Sequence, residues 1–291
     1  MLSIKYKITQ KKVGFKKLCT DLHQQFYIKC FSGKLFLMSN MIPYKIRSLV
    51  FLCLLAVLMC INYVSANAET KTLLDAKNLF IEGNWLNAAK LAKKEGSGEG
   101  YALAAQITCY YGRFLASDEN KEKLFTQAMK LAEKGVELAP KSSFAHLQVA
   151  HAMGRYSQTV GILEALTEGY ADQILDSVNQ AIKLNPNYSR AYVLLGNWHA
   201  EIINSAGFMG RMIYGASESE ALAAYNKAVQ LDPDSLLIRI EYASGLLKLD
   251  EDSYHQLALA NLAEAISISP KNSLEKILLK KAKEMQSTLK N

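Results

Sequence analysis

Beyond residue 68, the side chains whose types suit metal binding or nucleophilic chemistry are His146, His151, His199, His255 and Cys109. Two imidazoles share one helical face for zinc when they stand four residues apart with a glutamate between them. No pair here has that spacing. Cys109 lies in the apolar run "LAAQITCYYG" with no His or Cys at ligand distance, and reads as a buried, inert thiol. "GSGEG" at 96–100 carries glycines but follows no strand and has no lysine placed for a phosphate, so it reads as a flexible link. A serine or cysteine nucleophile elbow is missing as well. The sequence therefore implies no catalytic residue, no cofactor and no metal, and the chain is not expected to be an enzyme. What remains is non-covalent recognition, and two segments carry its chemistry. "GFMGRMIYG" at 207–215 joins glycines and apolar residues to Arg211. Either the preceding helix runs past Ile203 and this segment folds back over an apolar edge, or it walls a binding site. In the second case Arg211 faces an anion and Phe208, Met209 and Tyr214 supply apolar contacts. "GRYSQTVGILEALTEGYADQ" at 154–173 would form a second wall, with Arg155, Tyr156 and Tyr170 as its notable side chains.

The elements that position these segments are marked by proline. A six-residue pattern (small, β-branched, any, aliphatic, any, proline) recurs as "GVELAP" at 135–140, "AIKLNP" at 181–186, "AVQLDP" at 228–233 and "AISISP" at 265–270. Proline cannot continue a helix, so each pattern marks a helix end, and the Ser, Asn and Asp residues that follow suit the cap of the next helix. Successive prolines stand 46, 47 and 37 residues apart. Helical hairpins of that size bury their apolar sides only by stacking. Ala150, Gly196, Ala243, Ala128 and Ala221 fall where helices of a pair must approach closely. "LLDAKNLFIEGNWLNAAKLAKK" gives an earlier hairpin, with Ala76, a Gly83-Asn84 turn, Trp85 and Ala88. Ser217 and Glu220 have the spacing of a capping box for a helix beginning near Ser219. At the end, Leu274, Ile277, Leu278, Ala282 and Met285 put one apolar side on a charged helix, as a terminal cap requires.

The net charge of +7 is localised. Up to Ser48 there are ten Lys and Arg residues against Asp21 alone, while from Glu69 onward 24 basic residues face 26 acidic ones. The repeat region has no basic excess, which argues against a nucleic-acid partner. From Met41, Lys45 and Arg47 precede an uncharged apolar run, Leu49 to Val64, and then Ala66-Asn67-Ala68. That order predicts a secretory signal peptide at 41–68, cut between Ala68 and Glu69, with a periplasmic or secreted product. The alternative is an uncleaved membrane anchor at 49–64. Residues 1–40 read as an extension outside the translated protein, or as a basic arm. A single cysteine beyond the cut leaves the repeat domain, 69–291, to be held by its core.

"NYSRAYVLLGNWHAEI" and "EALAAYNKAVQLDP" resemble the two helices of the tetratricopeptide repeat through Tyr192, Leu195 and Gly196, then Ala221, Tyr225, Ala228 and Pro233. The resemblance covers roughly residues 70–270, with units longer than the usual period. It implies an all-α solenoid of antiparallel helix pairs with two inserted segments and a C-terminal capping helix. It also implies a protein or peptide partner held in the concave face. Carried over by position, that face would present Phe144, Leu147, His151 and Arg155, then Arg190, Val193, Asn197 and Glu201, then Ile240, Ser244 and Lys248. Such a mixture suits a peptide with acidic groups. The stretch from Gly154 to Trp198, with its "GY…AI.LNP…LLG.W" spacing, is similar to the regulator-of-microtubule-dynamics family, which joins an apolar N-terminal segment to irregular repeats. The chain also resembles the repeat component of TRAP-type transporters, and there the two insertions would enclose a small anion. An open groove along the first helices separates a peptide binder from a solute binder, which needs a closed pocket near Arg211 or Arg155.

Overall fold

The computed structural model of this chain describes residues 70–290. The basic extension at 1–40, the signal peptide or anchor at 41–68 and its cleavage site lie outside those residues. Among the described residues the regular elements are helices alone. In order they are α1 (Lys71–Glu82), α2 (Trp85–Glu95), α3 (Gly98–Phe114), α4 (Asp118–Leu138), α5 (Ser143–Val160), α6 (Ile162–Thr167), α7 (Tyr170–Leu184), α8 (Ser189–Tyr214), α9 (Glu218–Leu231), α10 (Leu236–Leu249), α11 (Glu251–Ser267) and α12 (Ser273–Lys290). Five hairpins, α1/α2, α3/α4, α5/α7, α8/α9 and α10/α11, pack side by side, with the short α6 inserted in the third. This is the expected solenoid. None of these helices is long and apolar enough to cross a membrane.

The proline reading places the hairpins correctly. Helices α4, α7, α9 and α11 end at Leu138, Leu184, Leu231 and Ser267, two or three residues before Pro140, Pro186, Pro233 and Pro270. The following turns then start the next helix, and Ser142 caps α5 by accepting the Ala145 amide at 3.1 Å. The residues expected at close crossings are buried, among them Ala76, Ala128, Ala150, Ala221 and Ala243. The tightest crossing gathers around Tyr225 on α9, which is fully buried. Its ring stacks on Tyr242 at 4.8 Å, and its hydroxyl donates to Asn197 Oδ1 at 2.7 Å. Gly196 of α8 and Gly245 of α10 lie against the same ring, because a Cβ on either would meet it at under 3 Å.

Three local expectations need correction. "GSGEG" is no flexible link. Ser97 caps α3 by accepting the Gly100 amide at 3.0 Å, and Gly98 and Gly100 are buried in its first turn. A Cβ on Gly98 would lie 2.4 Å from the Ala139 Cβ, so glycine is what lets the start of α3 cross the end of α4. The 217–220 capping box forms only by half: Ser217 Oγ accepts the Glu220 amide at 3.4 Å, but the Ser217 amide donates to His199 Nδ1 at 3.2 Å instead of to Glu220. The 207–215 segment continues α8 through a kink at Gly207, whose φ of 50° disfavours any side chain. The helix does run past Ile203 and Tyr214 packs on the core, yet the segment's other large apolar residues stay off the repeat. Phe208, Met209, Met212 and Ile213 are all exposed.

The two ends of the array touch. Apolar residues Leu274, Leu278 and Ala282 of α12 are buried, as a capping helix requires. The same helix also reaches α1 and α2: Trp85 Nε1 donates to Ser273 Oγ at 3.0 Å, and that hydroxyl donates to the Phe80 carbonyl at 2.9 Å. The Cys109 thiol is buried, and desolvation pushes its pKa up to about 12 despite the opposing pull of Arg155. We therefore expect Cys109 in the native chain to react with a maleimide at pH 8 at least ~100-fold more slowly than after denaturation, read from its labelled peptide by mass spectrometry.

Candidate functional site

The inner side of the array is formed by α3, α5, α8 and α10. Each contributes residues from a stripe one turn apart, which places them on one side of a helix. These are Gln106, Tyr110 and Arg113 from α3, Leu147, His151 and Arg155 from α5, Arg190, Val193 and Asn197 from α8, and Leu237 and Glu241 from α10.

At the centre lies one carboxylate. Glu241 accepts from the Arg113 guanidinium at one oxygen. At the other it accepts from Asn197 Nδ2 at 2.8 Å and faces Arg155 Nη2 at 3.8 Å. Burial pushes this carboxyl up, but Arg113, Arg155 and the hydrogen bonds outweigh it and hold the group far below the usual carboxylate range. Arg155 also donates to Gln158 Oε1 at 2.8 Å. Its guanidinium is brought down to about 10 by burial first and by the neighbouring Arg113 next. Arg190 bonds the Tyr110 hydroxyl and lies over the Tyr110 ring at 5.7 Å. His151 packs against that same ring at 5.3 Å. Burial, then the charges of Arg155, Arg190 and Arg113, push its pKa well down, so the imidazole is neutral at pH 7. Lys248 pairs with Glu201 at the edge of the stripe. Two guanidiniums thus hold a single central carboxylate while a third, Arg190, lies on Tyr110 of the same stripe, and the middle recess keeps a surplus of positive charge.

Three recesses run along this stripe and join through shared walls. One lies between α5, α6, α7 and α8, contains His151, Arg155, Asn197 and Glu201, and encloses roughly 650 Å³ with its open mouth included. Its remaining lining is largely apolar, with Ala165, Ala171, Ile174 and Trp198, and Trp198 is fixed by donating to the Ala171 carbonyl at 2.8 Å. The middle recess shares His151, Arg155 and Asn197 with it. The third, towards α1, shares Gln106 and Arg190 with the middle one and adds Phe144, Lys77 and Glu99. Together the three adjoining recesses make the channel of this face.

Of the residues assigned to a partner-binding face from sequence, Phe144, Leu147, His151, Arg155, Arg190, Val193, Asn197 and Glu201 line this channel, and Lys248 reaches it through Glu201. Arg211 does not. It faces Glu218 at 3.7 Å, outside the three recesses, and so its segment is no wall of the channel. The 154–173 segment does supply a wall, through Gly154, Arg155, Ala165 and Ala171, while Tyr156 and Tyr170 pack edge to face at 5.8 Å. Ile240 is fully buried, and the α10 residue that faces inward is its neighbour Glu241. Sequence reasoning missed Glu241, Arg113 and Tyr110. The signal for Arg113 and Tyr110 was the i, i+3 pair of a cation and an aromatic on a helix that no proline precedes.

Comparison with curated proteins finds no match. Among solved structures, a thermophilic TPR protein of Thermus thermophilus is similar over 75% of this chain and 100% of its own, at 20% identity and a TM-score of 0.52. That likeness shows the tetratricopeptide-like fold. The assembly chaperone of RpL4 aligns over 76% of this chain and 97% of its own, at 13% identity and a TM-score of 0.30. The family model described as regulator of microtubule dynamics protein 1-3 matches residues 74–290, which is all but the first few described residues. By that match, the chain belongs to the regulator of microtubule dynamics protein 1-3 family.

Proposed function

We propose that this chain is a scaffold that holds an extended, acidic segment of a partner protein in the channel along α3, α5, α8 and α10. The observation that carries this is the cluster of guanidiniums in the middle of a row of adjoining recesses. Arg113, Arg155 and Arg190 line the middle recess, and Glu241 is the only carboxylate among its lining residues. A guanidinium that is mostly withdrawn from water binds a carboxylate more strongly than an exposed one. The apolar walls around Trp198 and Ile174 accept a side chain beside it. The family's description concerns microtubule dynamics, which makes polymerised tubulin a partner to test. The uncharged run at 49–64 delivers the domain to a membrane, either for export with cleavage after Ala68 or as an anchor.

The test is capture of partners by the full chain and by a variant carrying Arg155→Gln and Asn197→Ala. We expect recovery of the specific partner to fall ~10-fold, as loss of a central charged contact does. Cosedimentation with polymerised tubulin is a separate arm of the same comparison. Equal recovery by both chains removes the channel from the binding face. A second reading rests on the recess walled by α6, whose apolar lining and Arg155 suit a small carboxylate solute, as in a transport accessory protein. Thermal stabilisation of the chain by free organic acids, lost with Arg155→Gln, would favour it over the peptide reading.

A further inference from the structure

Arg190 is the guanidinium of the inner face that no carboxylate neutralises. Arg113 and Arg155 share Glu241, whereas Arg190 gives one N–H to the Tyr110 hydroxyl and has no other partner among the described residues. Tyr110 is itself fixed. Its ring stands against Phe80 at 6.0 Å, Phe114 at 6.3 Å and His151 at 5.3 Å. The cation is therefore in place before a ligand arrives, which spares the ligand the entropy of ordering it. A second group is equally unengaged. Gln106 stands one turn before Tyr110 on the same side of α3. It is only 7% exposed, yet its side-chain amide makes no hydrogen bond among the described residues. A buried amide without a partner is costly, and such groups are nearly always paired.

The two groups wall both the middle and the third recess. Among the described residues the one sealed side-chain nitrogen or oxygen without a partner is Arg239 Nε, so the free donors of Arg190 and Gln106 open onto the recesses. The ligand chemistry follows from them. A guanidinium fork beside an amide N–H matches a carboxylate, which accepts two parallel bonds from the fork and a third from the amide. On the wall of the third recess Arg190 and Lys77 face Glu99, a balance of one positive charge that suits a monoanion and not a phosphate dianion. The rest of that wall is apolar, with Phe80, Leu103 and Phe144, so the carboxylate comes with a large apolar neighbour. Recesses on both sides of the Arg190 and Gln106 pair leave room for chain to continue in both directions. That suits an acidic side chain within a segment and not a chain end.

We propose that Arg190 and Gln106 anchor the partner by holding the side-chain carboxylate of a glutamate or aspartate that stands next to a large apolar residue, an assignment that rests on the reading of the channel as a peptide site. In the test the full chain is treated with phenylglyoxal, which modifies accessible guanidiniums, and labelling at each arginine is read by mass spectrometry. The probe is acetyl-Phe-Glu-amide, with acetyl-Phe-Gln-amide as its uncharged match. Arg190 should label severalfold faster than Arg113 and Arg155. The glutamyl probe should protect it at a concentration at least ~10-fold lower than the glutaminyl one, as loss of a charge-assisted contact predicts. Gln106→Leu should label Arg190 at the parent rate without probe and lose most of the protection. Equal protection by the two probes, or none by either, overturns the proposal. So does protection that Gln106→Leu leaves unchanged, or equal protection by inorganic phosphate or by acetyl-Phe-Gln with a free terminal carboxylate. Capture that falls with Arg155→Gln and Asn197→Ala while Arg190 stays unprotected removes the anchor and keeps the channel. Undiminished capture with Arg190 protected keeps the carboxylate site and removes the channel.

Discussion

Replacing Glu241 with alanine should destabilise the folded chain by about 3 kcal/mol while strengthening its hold on an acidic partner. The first effect follows from leaving Arg113 and Arg155 without their shared carboxylate inside the array. Breaking a buried pair costs about 3–5 kcal/mol, and the lower end applies because the two arginine side chains keep 17% and 15% of their exposure to water. For a domain of this size that loss lowers the melting temperature by roughly 10 °C. The second effect has the opposite sign because the freed guanidiniums become available to a carboxylate from outside. The pH dependence separates this carboxylate from the rest. Its folded-state pKa is depressed, so its stabilising contribution is fully present above the ordinary carboxylate value of 4.5 and disappears as pH falls through the folded value. Chemical denaturation at pH 7 and pH 3 should therefore show the parent losing more stability on acidification than Glu241→Ala. A variant within ~1 kcal/mol of the parent at pH 7 would falsify the role assigned to the cluster.

Gly245→Ala should destabilise by at least about 2 kcal/mol, although alanine is the better helix former by ~1 kcal/mol. The added methyl would sit 2.0 Å from the Tyr225 hydroxyl oxygen and 2.4 Å from its ring carbon. The ring cannot retreat, since Gly196 lies against it on α8 and Tyr242 is stacked on it. Overpacking of this kind costs typically 1–3 kcal/mol, and displacing the ring also breaks its bond to Asn197, the residue that orients towards Glu241. Tyr225→Leu removes the obstruction, so the double variant should be less destabilised than the sum of the single ones. A neutral or stabilised Gly245→Ala in urea denaturation would mean that α8, α9 and α10 do not cross as closely as described.

What the sequence disclosed was local. Pro140, Pro186, Pro233 and Pro270 stop helices for a steric reason that no tertiary contact can reverse, so the hairpins and their register were legible. The small residues at helix crossings were legible for the same kind of reason. Glu241 was hidden because α10 reads "LLIRIEYASGLLKL", apolar almost all round, and its periodicity did not say which side faces inward. The Arg113–Glu241 pair spans 128 residues, and no local pattern reports a contact at that separation. "GSGEG" misled because glycines that permit a close crossing and glycines that loosen a linker look alike in one dimension. Residues of α5 and α8 could be assigned to one face because each helix follows a proline turn, and α3 was overlooked because it follows none.

The bond from Trp85 to Ser273 bridges 188 positions of chain. At the ~5–20 residues per second of synthesis, the first hairpin waits on the order of ten seconds or more for the hydroxyl that completes it. Until then the Trp85 indole N–H is left to water or to whatever escorts the nascent polypeptide. Synthesis of Ser273, not emergence of the first repeat, is what lets that hairpin finish its shape.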